Sequence, residues 1–249
     1  MKKLLLSFVT ILCAMLLMFL AIQYMPGSPV DSLANEFVRT QNLEWSIAYQ
    51  RAVTQLNYDP SIPVVQRLTR YLGNILRGNL GQSMIYQRPV LDIVLGALPW
   101  TLLIVTFALA LSFTVGILLG IFIAWKRKRL LNAALTVYQS VFGSIPDYII
   151  AYILVFIFAV SLGWFPSRGP YSAAVKPGPT WEFISSVLRH AVLPVTAYFI
   201  TTVAGWTIGM RASSLSVLGE DYMSYAIARG LSRQRILISY LGRNAILPM

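Results

Sequence analysis

Few residues in this chain could do chemistry, and where they stand says more than how many there are. Asp147 is the only acid inside an otherwise apolar stretch. A carboxylate in such a place is costly unless it is paired, protonated or facing water. It is therefore the candidate for a proton relay or a pathway-lining contact. It also follows Pro146, and an Asp beside a proline break can instead cap the restarted helix or sit near an aqueous cavity. His190 is the single histidine and lies next to Arg189. Without a second His or a nearby Cys it lacks the ligands of a metal site, so it reads as an interfacial residue and no metal is expected. Cys13 is the single cysteine, which excludes a disulfide framework or a thiolate cluster. The serines have no base near them in a familiar pattern, and no GxxxxGK[ST] phosphate loop is present. The chain lacks that route to ATP hydrolysis.

A second kind of chemistry is mechanical. The stretch DYMSYAIARGLSRQRILISYLGRNAILP, residues 221–248, is basic and helix-friendly. Two short helices, about 223–228 and 233–240, flank Gly230-Leu231-Ser232. There Gly230 can take the left-handed turn and Ser232 can cap the second helix. Arg229, Arg233, Arg235 and Arg243 leave the segment cationic, and plain adhesion to anionic lipid is the simpler reading. An adhesive helix needs no Gly-Leu-Ser break, so a protein partner is the reading taken.

These residues are positioned by apolar elements. Hydrophobic residues make up 57% of the chain and charged ones 12%, with a mean hydropathy of +0.65. The balance is that of an all-α integral membrane protein. Four spans are expected, at about 4–22, 97–125, 131–164 and 191–215. The net charge of +11 does not point to nucleic acid, because Lys and Arg gather at Lys2 and Lys3, at 126–129 and from Arg211 onward. Those are alternate ends of successive spans, and the positive-inside rule then makes the N-terminus cytoplasmic, with 24–92 and 166–190 outside. The six Arg of 24–92 are set against five acids, and loops above about 60 residues cross largely regardless of charge. The first span reads as a retained anchor, being long and without a clear small-residue cleavage site. Small residues four apart, Gly116 and Gly120, then Gly205 and Gly209, suit close helix packing. Between the first two spans, Val65, Leu68, Tyr71, Leu72, Ile75 and Leu76 recur at helical spacing with Gln66, Arg67, Arg70 and Arg77 opposite. That helix either lies on the outer membrane surface or belongs to an ordinary extracytoplasmic subdomain.

With these residues in view, the chain closely resembles the dipeptide and oligopeptide branch of ABC importer permeases, of the first-permease (B-type) kind. Asp221-Tyr222, Ala226-Ile227-Ala228-Arg229-Gly230-Leu231-Ser232 and Arg243-Asn244-Ala245-Ile246-Leu247-Pro248 resemble the EAA loop, with which such permeases dock on their ATPases. Upstream, Pro26-Gly27-Ser28-Pro29, Gly78-Asn79-Leu80-Gly81-Gln82-Ser83, Arg88-Pro89-Val90, Leu98-Pro99-Trp100-Thr101-Leu102, Ser144-Ile145-Pro146 and His190-Ala191-Val192-Leu193-Pro194 match family landmarks in order. Where the loop's name would put Glu-Ala-Ala, this chain has Ser224-Tyr225-Ala226. The docking role therefore passes to the helix and Gly230 rather than to a carboxylate. Family members continue into two further spans after the Leu-Pro, so the chain, ending at Met249, is either a fragment of a longer polypeptide or a truncated product.

The resemblance implies a type I ABC importer transmembrane domain, with a 1–23 anchor, a 24–92 extracytoplasmic region and a 93–249 permease domain carrying a coupling loop at 219–248. It implies docking through Asp221, Tyr222, Tyr225, Ala226, Ala228, Arg229, Gly230, Leu231 and Ser232. It implies peptides or similar small solutes as cargo, moved by alternating access across a bacterial or archaeal cell membrane. The implied partners are a second permease chain, two ATP-binding subunits that hold ATP and Mg, and an extracytoplasmic substrate-binding protein. No cofactor, nucleic acid or catalytic residue is implied for this chain. The rival from another class is a proton-coupled carrier or channel that titrates Asp147, and a third is a scaffold that recruits a soluble partner.

Overall fold

A chain this apolar satisfies its backbone groups most readily as helix. The computed structural model describes residues 2–23, 28–56, 62–83 and 85–248, and helix is the only regular element among them, an isolated bridge between Gln82 and Pro89 aside. Two units are distinguished, Met1–Leu98 and Pro99–Met249.

In the first unit, α1 (Lys2–Gln23) is followed by a helical hairpin. The Ser28 hydroxyl accepts the Val30 N–H at 3.2 Å and Pro29 occupies the first turn, which starts α2 (Pro29–Gln41). Asn42 ends it in a left-handed conformation, φ 52°. The chain returns as α3 (Trp45–Leu56), burying Ala48 and Ala52 on Val30, Leu33, Ala34 and Phe37. The Arg51 guanidinium lies 5.3 Å from the Phe37 ring centre and donates to Gln41 Oε1 at 2.8 Å. The amphipathic helix expected from residue 64 is α4 (Val64–Leu76). None of its residues is buried, and Tyr71 packs on Phe19 of α1 with ring centres 5.6 Å apart. Two motifs read separately in the sequence close one loop here. Val90 N–H donates to Gly81 O at 3.0 Å and Ser83 N–H to Arg88 O at 3.0 Å, while Gly78 and Gly81 take φ of 77° and 78°. Of the motif at 26–29, Pro26 and Gly27 lie outside the described residues.

The second unit is built on two long helices. Helix α5 (Val90–Lys126) starts earlier than the expected 97–125. The expected third span, 131–164, is not one helix. It is α6 (Arg129–Phe142) and α7 (Asp147–Leu154), the latter continuing as a π-helical stretch Val155–Ser161, with an 87° bend at the break. Pro146, which can neither donate a backbone hydrogen bond nor let the residue before it enter a helix easily, sits at that break. Helix α8 (Trp181–Leu218) starts well before the expected 191, capped by the Thr180 hydroxyl, which accepts the Phe183 N–H at 3.3 Å. His190 and Pro194 are therefore inside a helix rather than at its mouth. By length and composition, α5 and α8 can cross a membrane; the bent pair adds a third if counted as one span. The apolar part of α1, Leu5–Ala21, is shorter than the roughly 20 residues of a typical span.

Helices α5 and α8 meet through glycine. A Cβ built on Gly116 would lie 2.5 Å from Trp206 Cβ, and one on Gly120 would lie 2.6 Å from Met210 Cβ, 2.8 Å from Thr207 O and 2.9 Å from Arg211 N. No side chain fits between these backbones. The seam continues along the two helices to Ser112 and Thr202, whose hydroxyls are 2.8 Å apart, and to Phe113, edge-on to Trp206 at 5.2 Å. Helix α6 joins through Tyr138, whose hydroxyl donates to Ile200 O at 2.8 Å. Gly205, of the second pair, behaves otherwise, since it has nothing within 4 Å of a built Cβ. Gly120→Val should thus separate α5 from α8, lowering stability by about 1–3 kcal/mol or more. Gly205→Ala should leave it nearly unchanged. Thermal unfolding of the two variants in one detergent compares them directly.

Candidate coupling loop and pathway groove

Beyond α8 the chain turns at Gly219 into α9 (Asp221–Ala228), with Asp221 in the first turn where a negative charge suits the helix dipole. The helix ends in a Schellman motif. Gly230 N–H donates to Ile227 O at 2.9 Å, Leu231 N–H donates to Ala226 O at 3.4 Å, and Gly230 takes φ 69°. The left-handed turn expected at Gly230 is thus present. Ser232 stands at the start of α10 (Arg233–Arg235), but its hydroxyl makes no capping bond; its carbonyl accepts the Ile236 N–H at 3.0 Å instead. The expected second helix at 233–240 continues as a π-helical stretch, Ile236–Gly242, and then as α11 (Arg243–Ile246).

This second limb folds back on the long helices. Met223, Ile236 and Leu241 form one buried cluster with Ile121 and Trp125 of α5 and Val217 and Leu218 of α8 around it. Ala245 joins Ile117 and Met210 in another, and the Ser213 hydroxyl donates to Ala245 O at 2.6 Å. The Arg233 guanidinium lies 5.6 Å from the Trp125 ring centre. The loop is therefore clamped by its returning limb to the ends of α5 and α8. On the other side, Asp221, Tyr222, Tyr225, Ala228, Arg229, Gly230 and Ser232 are exposed. Tyr225 and Ile227 are 71% and 55% exposed, enough to leave an apolar face available for a seat on another surface. Leu231 is half-buried, and Ala226 is buried at 2% exposure. Ala226 thus serves the inner face of α9, beside Met223, rather than the outer one.

The remaining expected residues lie apart from this loop. Asp147 is exposed in the first turn of α7, where its carboxylate accepts the Tyr148 N–H at 2.9 Å. His190 Nδ1 is 2.7 Å from Ser186 O, one turn back in α8. Neither lines an open groove of about 760 Å³ along α8. Its walls are Gln139, Thr201, Thr202, Ser213, Ser216 and Asn244, with Gly205, Trp206 and Gly209 among the rest. None of the lining residues carries a charge. Sequence reading singled out the acid and passed over this stripe. The signal was present, since 201, 205, 209, 213 and 216 recur at helical spacing as small or hydroxyl residues on one face of an apolar helix.

Long apolar helices packed through glycine, with a neutral groove beside them and a clamped helical loop at their end, define an all-helical chain whose long helices can cross a membrane. Residues 116–249 match the binding-protein-dependent transport system inner membrane component family, and the chain belongs to it. A peptide permease protein of Brucella suis is 30% identical over 249 residues, taking in 99% of this chain and 74% of that protein. The oligopeptide transport system permease protein AppB of Bacillus subtilis is 26% identical over 249 residues, 100% of this chain and 75% of its own length. A peptide ABC transporter permease protein, y4tP, of Sinorhizobium fredii is 29% identical over 231 residues, 93% and 69% respectively.

Gly230 separates two effects of substitution. A Cβ there meets nothing within 4 Å, so the cost lies in the backbone alone. Gly230→Asn should cost well under 1 kcal/mol and Gly230→Val about 1–2 kcal/mol, because Asn tolerates the left-handed region and a β-branched residue does not. Amide exchange at the end of α9 should accelerate accordingly in the Val variant alone.

Proposed function

We propose that this chain is a permease subunit of an ATP-driven importer for peptides or similar small solutes. It lines part of the translocation pathway and works by alternating access. The cargo class rests on the names of its relatives, which are peptide and oligopeptide permeases. The neutral groove supports it, since hydroxyl, amide and glycine backbone groups can exchange hydrogen bonds with a polar solute without trapping it by charge. ATP and Mg belong to two ATP-binding subunits, and this chain is not itself an enzyme. A second, homologous permease chain completes the pathway, and an extracytoplasmic binding protein delivers the solute. Four spans, α1 included, carry it through a bacterial or archaeal cell membrane, with the N-terminus and the 219–248 loop on the cytoplasmic side.

One observation carries the reading. The helix with the exposed face of Tyr222, Tyr225 and Ile227 is joined through Met223 to a cluster that includes Trp125 of α5 and Leu218 of α8. A subunit gripping the outer face would move both long helices as rigid bodies. A flexible tether would transmit nothing of the kind. Gly230→Trp, whose side chain enters open space next to α9, should leave membrane insertion intact and ATP hydrolysis running. Uptake should fall by roughly tenfold or more, within the ordinary range of coupling free energies. Asp147→Asn should change uptake by about twofold at most, as expected for an exposed residue that makes one local hydrogen bond. Solute entry into vesicles of the reconstituted complex, with and without enclosed ATP, measures both. Loss at Asp147 with normal uptake in the Gly230 variant would favour a proton-coupled carrier instead.

A further inference from the structure

The cationic turn between α5 and α6 has a feature that loop docking does not use. Helix α5 ends at Lys126, and Arg127 then takes a left-handed conformation, φ 49°, its N–H still donating to Ile123 O at 3.1 Å. Such a conformation costs about 1–2 kcal/mol for a residue with a side chain. Across from it, the glycine seam sets the position of Arg211, whose backbone N lies 2.9 Å from where a Cβ on Gly120 would be. The result is a cavity of about 340 Å³ lined by Ile123, Ala124, Arg127, Asn132, Arg211 and Leu215. Two guanidinium-bearing residues, 84 positions apart in the chain, thus share one small space whose lining holds no acid. Asn132 adds a side-chain oxygen that is shielded from solvent and has no hydrogen-bond partner. Turning that amide over would offer its NH₂ to an acceptor in its place.

We propose that this cavity binds a phosphate-bearing anion. Two planar cations and an amide NH₂ can serve three oxygens of one phosphate, the geometry for which arginine is better suited than lysine. An unshared pair of like charges would repel, and a phosphate between them reverses the sign of that interaction. The remaining walls, Ile123, Ala124 and Leu215, are apolar and suit the glycerol and first methylenes of a phospholipid. Free phosphate shares the recognised group and lacks the apolar part.

The test uses the full chain with its partner subunits, reconstituted either with phosphatidylglycerol or with phosphatidylcholine alone. Native mass spectrometry after detergent exchange should find one phosphatidylglycerol retained on the wild type. Arg211→Gln should lower that retention roughly tenfold, the loss of one charge-assisted hydrogen bond. Lys128→Gln with Arg129→Gln, which removes two neighbouring charges that do not line the cavity, should keep retention within about twofold. Arg127→Gly separates binding from folding. It relieves the left-handed strain, so the protein in phosphatidylcholine should melt no lower than the wild type while losing the bound lipid. If inorganic phosphate raises the melting temperature of the wild type in phosphatidylcholine but not that of Arg211→Gln, the same site takes the soluble ion. Equal loss in the Lys128/Arg129 and Arg211 variants would reduce the effect to diffuse surface charge and overturn the proposal. So would a wild type that neither retains the lipid nor responds to phosphate.

Discussion

The contact on which the second unit depends is the crossing of α5 and α8 at Gly116 and Gly120. Lipid supplies no hydrophobic drive between helices, so association depends on dispersion and on how near two backbones can come. Here they come so near that a methyl group at residue 120 would press on main-chain atoms of Thr207 and Arg211. Everything beside the seam inherits its geometry. Trp206 is turned edge-on to Phe113, Ser112 meets Thr202, and Met210 is sealed under Ile117 and Ala245. The face of α8 that carries Gly205 and Gly209 is left to border open space.

The loop illustrates what a sequence can disclose. Gly230 was legible because a left-handed helix end has a local signature, and the two hydrogen bonds that close it run over a handful of residues. The break at Pro146 was legible for the same reason, whereas α9 starts at Asp221, two residues before the expected 223, with no capping side chain to mark it. The returning limb was not legible. That Ile236 and Leu241 lie beside Trp125 is a contact between segments more than a hundred positions apart, and periodicity tells which side of a helix is apolar without telling what covers it. Ala226 shows the difference well: a small residue suits a close approach, and only the fold decides whether it faces a partner or, as here, the buried side of α9.

The groove was missed for a different reason. Reading for chemistry favours charge, and Asp147 drew attention as the lone acid of its stretch. Its carboxylate is occupied by the turn it begins. The polar wall is made of hydroxyls, amides and glycines, which look ordinary one at a time and acquire meaning only as a stripe along α8. The hairpin of α2 and α3 was likewise available in the spacing of Val30, Leu33, Ala34 and Phe37, hidden by the polar composition of the region around it.

The π-helical stretch Ile236–Gly242 has a consequence for how the returning limb tolerates a change of length. A wider coil accommodates one more residue than an ordinary α turn, so it behaves as an insertion absorbed without a bulging loop. Everything downstream is rotated by about 100° relative to an uninterrupted helix, since each residue advances the α spiral by that angle. The Ala245 carbonyl, which accepts from the Ser213 hydroxyl, lies just beyond that step. One residue more or fewer here would turn the final helix by the same angle and carry Ala245 out of its cluster with Ile117 and Met210, so the spacing of this short segment fixes which side of that helix is greasy.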